Sequence, residues 1–132
     1  MPIPRIGGGT TLYFVLGYPV GQVRAPEVFN PIFAAHGIDA VLAPAAVPPA
    51  ALPAFVTGCL QAENVGGLWL TIPHKAAVLP LLSKVDEQGT LAGAVNAVRK
   101  GPGGTLEGAL FDGLGLVAVT VRTLRFRPVA RR

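Results

Sequence analysis

The chain has 132 residues, close to the usual size of one domain and too short for two. Hydrophobic residues make up 51% and charged residues 14%, which excludes an intrinsically disordered chain, and a single cysteine, Cys59, excludes a disulfide framework or a multi-cysteine zinc site. The net charge of +4 is not spread over a surface: Arg122, Arg125, Arg127, Arg131 and Arg132 crowd the end, and residues 1–121 carry 6 basic against 7 acidic side chains, so no nucleic-acid partner is expected.

Along the chain, strand and helix patterns alternate. Leu12–Leu16 is a continuous apolar run stopped by Gly17 and Pro19, as in a buried parallel strand. A helix opens at Pro26, with Val28, Phe29, Ile32 and Phe33 as its apolar stripe, and stops at Gly37. Residues 40–62 are without charge over 23 positions, long enough to span a bilayer, but Pro44, Pro48, Pro49 and Pro53 forbid one continuous helix. That stretch reads instead as a strand over Ala40–Ala43, a proline-rich turn and a helix from Pro49 to about Ala62 with Leu52, Phe55, Val56 and Leu60 inward. With no membrane span and no secretory leader, a soluble cytoplasmic protein is expected.

A third strand, Gly67–Ile72, runs into a helix that starts at Pro73 and carries Lys75, Val78, Leu79 and Leu82. Asp86 is placed to cap a short helix through Leu91; Ala94–Arg99 and Thr105–Leu110 then form a hairpin around the glycine-rich turn at 101–104. Asp112 is placed to cap a last helix over Gly113–Leu124. This order predicts an α/β fold: a three-layer, mainly parallel mixed sheet flanked by helices, with one domain over 1–124 and a basic tail over 125–132.

Several motifs carry chemistry. Gly113-Leu-Gly115-Leu-Val-Ala118 matches a dinucleotide-binding pattern, but only 14 residues follow Ala118, too few for the second strand and acidic residue such a site needs. Close helix packing explains these glycines better. Thr71-Ile-Pro-His-Lys75 sets a lysine in the first turn of a helix, where the helix dipole disfavours a cation. The position suits either an amine used in proton transfer or a lysine reaching into solvent. His74 has no histidine or cysteine at ligand spacing and reads as a helix-start residue without a catalytic role. Asn96, in an apolar strand, must find hydrogen-bond partners. Cys59 reads as a small core residue. No metal site is expected.

Taken in order, Gly17-Tyr-Pro-Val20, Pro26, Thr71-Ile-Pro-His-Lys75, Gly93-Ala-Val-Asn96 and Gly108-Ala-Leu-Phe-Asp-Gly113 resemble the N-terminal, substrate-binding domain of the shikimate dehydrogenase family, over about residues 12–120. The resemblance implies an NADP-dependent oxidation of a ring hydroxyl on a small cyclic carboxylate. It implies Lys75 and Asp112 as the catalytic pair, the lysine exchanging the hydroxyl proton and the aspartate positioning it, with Thr71 and Asn96 bonding other hydroxyls.

Three departures narrow these expectations. Val23 and Ala25 stand where the family has two serines that grip the substrate carboxylate, leaving Gln22 or Arg24 as the substitutes. Trp69 stands in place of an asparagine, and Leu110 and Phe111 replace Asn-Thr before the aspartate, so a more apolar pocket and a divergent subgroup are expected. The family's NADP-binding domain is not in these residues, so the chain alone is expected to transfer no hydride. Its partners would then be a cofactor domain supplied in cis or in trans, or a second copy of itself. The alternatives are a stand-alone module that binds a carboxylate without chemistry, and an inactive gene fragment.

Overall fold

The computed structural model describes residues 4–111. Asp112, the expected last helix and the arginine tail lie outside the described residues. The elements in chain order are β1 (Thr11–Gly17), α1 (Ala25–Ala35), β2 (Ala40–Ala46), α2 (Leu52–Cys59), β3 (Val65–Leu70), α3 (His74–Ala77), β4 (Lys84–Val85), α4 (Glu87–Ala92), β5 (Ala97–Lys100) and β6 (Leu106–Ala109), with single 3₁₀ turns at Pro49–Ala51, Leu79–Leu81 and Pro102–Gly104.

The six strands form one sheet in the order β2-β1-β3-β5-β6-β4. The pairs β1–β2, β1–β3 and β4–β6 are parallel, and the β3–β5 and β5–β6 pairs are antiparallel. The expected mixed, mainly parallel α/β sheet is therefore what forms. Successive side chains of a strand point to opposite faces, and each face carries its own core. On one face Tyr13, Val15, Leu42 and Trp69 pack beneath Phe29 and Phe33 of α1. On the other, Leu16, Leu68, Leu70 and Val98 pack against Leu52 and Val56 of α2. The three layers follow directly from this division.

Some local expectations change. The second strand runs to Ala46 rather than Ala43, through Pro44, which is tolerated because β2 is the sheet's edge and needs no donor there. Helix α1 buries Phe29 and Phe33, four residues apart, but Val28 points outward and is 51% exposed. The helix after Pro73 is a single turn followed by a 3₁₀ turn. Strand β4, two residues long, was not expected at all. Asp86 does cap α4: its Oδ1 accepts from the Gly89 N–H at 2.8 Å. Among the described residues no helix is long and apolar enough to cross a membrane.

Candidate functional site

Chain order sends β1 to β2 on one side and then brings β3 to the other side of β1, so the topology reverses between β1 and β3. In open α/β sheets the crevice at the carboxyl ends of such strands is where ligands bind. Pairing continues past the strand ends there. The Thr71 N–H donates to Leu16 O at 2.9 Å, and the Tyr18 N–H donates to Ile72 O at 3.2 Å. A Cβ on Gly17 would stand 2.7 Å from Thr71 Cγ2, so the close approach requires glycine. Both X–Pro bonds that turn the chain here, Tyr18–Pro19 and Ile72–Pro73, are cis.

Backbone bonds then gather the other residues. The His74 N–H donates to Thr71 O at 2.8 Å and closes the turn that presents Lys75. The Lys75 carbonyl accepts from the Val95 N–H at 2.9 Å, and the Leu70 N–H donates to Asn96 O at 3.0 Å, which ties the lysine turn to the bend at Asn96; the strand expected from Ala94 begins only at Ala97. Thr71, Lys75 and Asn96 thus stand at one end of the sheet. Lys75 is half-buried, and its Nζ has no hydrogen-bond or ion-pair partner among the described residues. The Asn96 amide pairs with the backbone of Phe111: Oδ1 accepts from its N–H at 2.9 Å and Nδ2 donates to its carbonyl at 2.6 Å.

His74 is fully buried, and its ring faces Val47 O, 2.8 Å from Nε2. A carbonyl only accepts, so Nε2 carries the proton, while Nδ1 is buried without a partner among the described residues. The ring thereby fixes the lysine turn to the segment after β2, a role the sequence did not reveal. Gln22 and Arg24 lie apart on the exposed loop before α1. Gln22 Nε2 donates to Pro19 O at 3.0 Å, and Arg24 pairs with Glu27 at 3.2 Å. Between and beside them, Val23 and Ala25 pack against the α1-side core. Trp69 belongs to that same core, only 5% exposed, with its ring edge-on to Phe29 at 4.2 Å. The corner is therefore apolar as well as filled.

A cavity of about 380 Å³ lies away from Lys75, over the sheet face of Trp69, Ala97 and Ala109, with Tyr13 and Phe111 in its wall. Burial pushes the Cys59 thiol above its usual range, more than Lys100 draws it down, which suits a packed thiol rather than a nucleophile. No group of three or more His, Cys, Asp or Glu that could hold a metal occurs among the described residues. The turns that follow β1 and β3 are proline turns, not glycine-rich loops opening a helix, so these residues do not fit a dinucleotide.

The strand order and the strand-end residues define an α/β domain with a topological switch point between β1 and β3. The sequence profile described as the shikimate dehydrogenase substrate binding domain matches residues 15–98, and the chain belongs to that family. It is 40% identical over 117 residues to a shikimate dehydrogenase (NADP(+)) of Rubrobacter xylanophilus, covering 89% of this chain and 41% of that protein. The structure resembles shikimate 5-dehydrogenase from Listeria monocytogenes, solved with shikimate and NAD (TM-score 0.76, 30% identity, 92% of this chain, 42% of that one). It also resembles 5-ketofructose reductase of a Gluconobacter strain (TM-score 0.76, 28% identity, 88% and 41%). The chain thus spans well under half the length of the relatives it matches.

Proposed function

We propose that this chain is the substrate-binding half of a shikimate dehydrogenase-like, NADP-dependent oxidoreductase, holding a cyclic hydroxy-carboxylate at the carboxyl ends of β1 and β3. The observation that carries the reading is the gathering of Thr71, Lys75 and Asn96 at one sheet end, with the lysine amine unpartnered among the described residues. Lys75 Nζ takes the proton of the reacting hydroxyl, which requires hydrogen-bond reach and a matched acceptor. Asp112 orients that amine. Thr71 Oγ1 and the second Asn96 N–H hold other ring hydroxyls. Arg24 or Gln22, on leaving its present partner Glu27 or Pro19 O, supplies the donor toward a carboxylate that Val23 and Ala25 cannot. The nucleotide lies outside what the described residues fit, so the chain's own share is the proton side of the chemistry.

Val23 and Ala25, packed in the α1-side core, offer no hydroxyl to a carboxylate, which favours a second substrate class without that charge, a neutral hydroxyketone or polyol held by Thr71, Lys75 and Asn96. The Gluconobacter relative, named for 5-ketofructose, carries the same fold. Fluorescence of Trp69, the only tryptophan, separates the readings. Titration with shikimate and quinate is expected to saturate, and Lys75→Ala to abolish the response. Saturation by a neutral polyol alone would select the second class. No response to either, from a folded chain, overturns the site. Lys75→Arg discriminates chemistry from mere binding: supplied with a nucleotide-binding partner, it keeps affinity but gives no turnover, since guanidinium does not deprotonate near neutral pH.

A further inference from the structure

Helix α3 is four residues long, too short to hold its own direction, so its packing must aim it. Four hydrogen bonds close a circuit around its start. The Thr71 N–H donates to Leu16 O at 2.9 Å and the Val47 N–H to Gly17 O at 3.0 Å, both at the end of β1. The His74 N–H donates to Thr71 O at 2.8 Å, and its ring donates through Nε2 to Val47 O at 2.8 Å. The strand end, the segment after β2 and the lysine turn are thus each bonded to the other two. Backbone groups make three of these bonds, and the imidazole makes the fourth. His74 is fully buried, and its Nδ1 finds no partner among the described residues. Buried polar atoms without partners cost free energy. An apolar ring of like volume would fill the same core and strand no nitrogen, so what the imidazole adds is one donor.

We propose that His74 is a positioning residue: its Nε2–H pins the first turn of α3 to Val47 and so sets the direction in which Lys75 leaves that turn. Consecutive helical residues diverge by about 100°, so a ring held in the core at 74 fixes the angle at 75, and a freed ring lets the turn roll about its axis. A small misplacement of an amine that must meet one hydroxyl is costly to binding and to proton transfer alike. The tautomer is part of the device. Were the proton on Nδ1, the bare Nε2 would face the Val47 carbonyl, acceptor against acceptor. Its bearing on a ligand rests on the reading of Lys75 given above; the pin itself does not.

Nitrogen NMR of the imidazole reads the tautomer, the His74 signals being those lost in His74→Gln. The proton is expected on Nε2, and a proton on Nδ1 overturns the pin. Three variants then separate donor from volume. Glutamine places its amide nitrogen near the site of Nε2, asparagine near that of Nδ1, and phenylalanine keeps a ring without a donor. In His74→Asn and His74→Phe, the amides at position 74 and at Val78 are expected to exchange at least about tenfold faster, with those of Leu16 and Leu68 unchanged. Shikimate affinity, followed by Trp69 fluorescence, falls about tenfold in both and returns in His74→Gln. A residue that merely fills the core would be replaced well by phenylalanine and badly by glutamine. Wild-type exchange in both His74→Asn and His74→Phe overturns the pin, and faster exchange with unchanged affinity overturns its hold on the site. Should His74→Phe not fold, the contrast of glutamine with asparagine decides. If the wild-type chain binds neither shikimate nor a neutral polyol, the reading of Lys75 falls, and the tautomer and the amides alone decide the pin.

Discussion

Thr71 is held in place by a neighbour with no side chain. Its Cγ2 lies 2.7 Å from where a Cβ on Gly17 would stand, and its N–H is already committed to Leu16 O. A methyl at position 17 must displace either the threonine side chain or the β1–β3 pairing. Gly17→Ala is therefore expected to lower stability by about 1–3 kcal/mol through overpacking, and to weaken ligand binding by turning Thr71 Oγ1. Urea unfolding and a Trp69 titration measure the two effects. Gly21→Ala, where nothing lies within 4 Å, should show neither. At this scale the sequence was readable where one residue type contradicts its local setting, as Lys75 does. It was silent where the partner is distant backbone. Nothing near Asn96 announces that its amide bonds Phe111, 15 residues on, or that the His74 ring bonds Val47, 27 residues back.

Elements with a long apolar period were legible, and those held by one or two pairings were not. Phe29 and Phe33 declare the inner face of α1, but Val28, one residue off that axis, is exposed because the helix meets the sheet along a single line. Strand β4 exists only because Lys84 and Val85 lie beside Glu107 and Gly108, too few residues to show an alternation. Helix α4 is bounded by chemistry that can be read, with Asp86 at its start and Gly93 at its end. Gly93 has φ of 67°, and a Cβ there would meet nothing within 4 Å, so substitution tests backbone conformation alone. Gly93→Ala is expected to cost about 1–2 kcal/mol, the penalty of left-handed backbone for a residue with a Cβ. Gly93→Asn should cost less, because asparagine tolerates that region. A shift in urea midpoint without a change in slope checks both.

The whole molecule turns on β1 and β3, which separate the two cores and whose carboxyl ends carry the candidate site. Alternation of strand and helix made the sheet predictable. The strand order, which puts β3 and β2 on opposite sides of β1, is fixed by the two cores taken together and cannot be read from any one segment. A ligand seated between these strands bridges residues far apart in sequence, from the loop after Gly17 to the turn at Thr71–Lys75 and the bend at Asn96 before β5, and no such surface exists in the unfolded chain. Binding must therefore appear as stability. With shikimate at a hundred times its dissociation constant, the unfolding free energy should rise by about 2.7 kcal/mol, as mass action requires for a ligand that binds only the folded state. The urea midpoint should climb with ligand concentration while the slope stays constant, and Lys75→Ala should remove the climb. A midpoint indifferent to shikimate, quinate and neutral polyols alike, in a chain that unfolds cooperatively, would mean that the switch point between β1 and β3 holds no such ring.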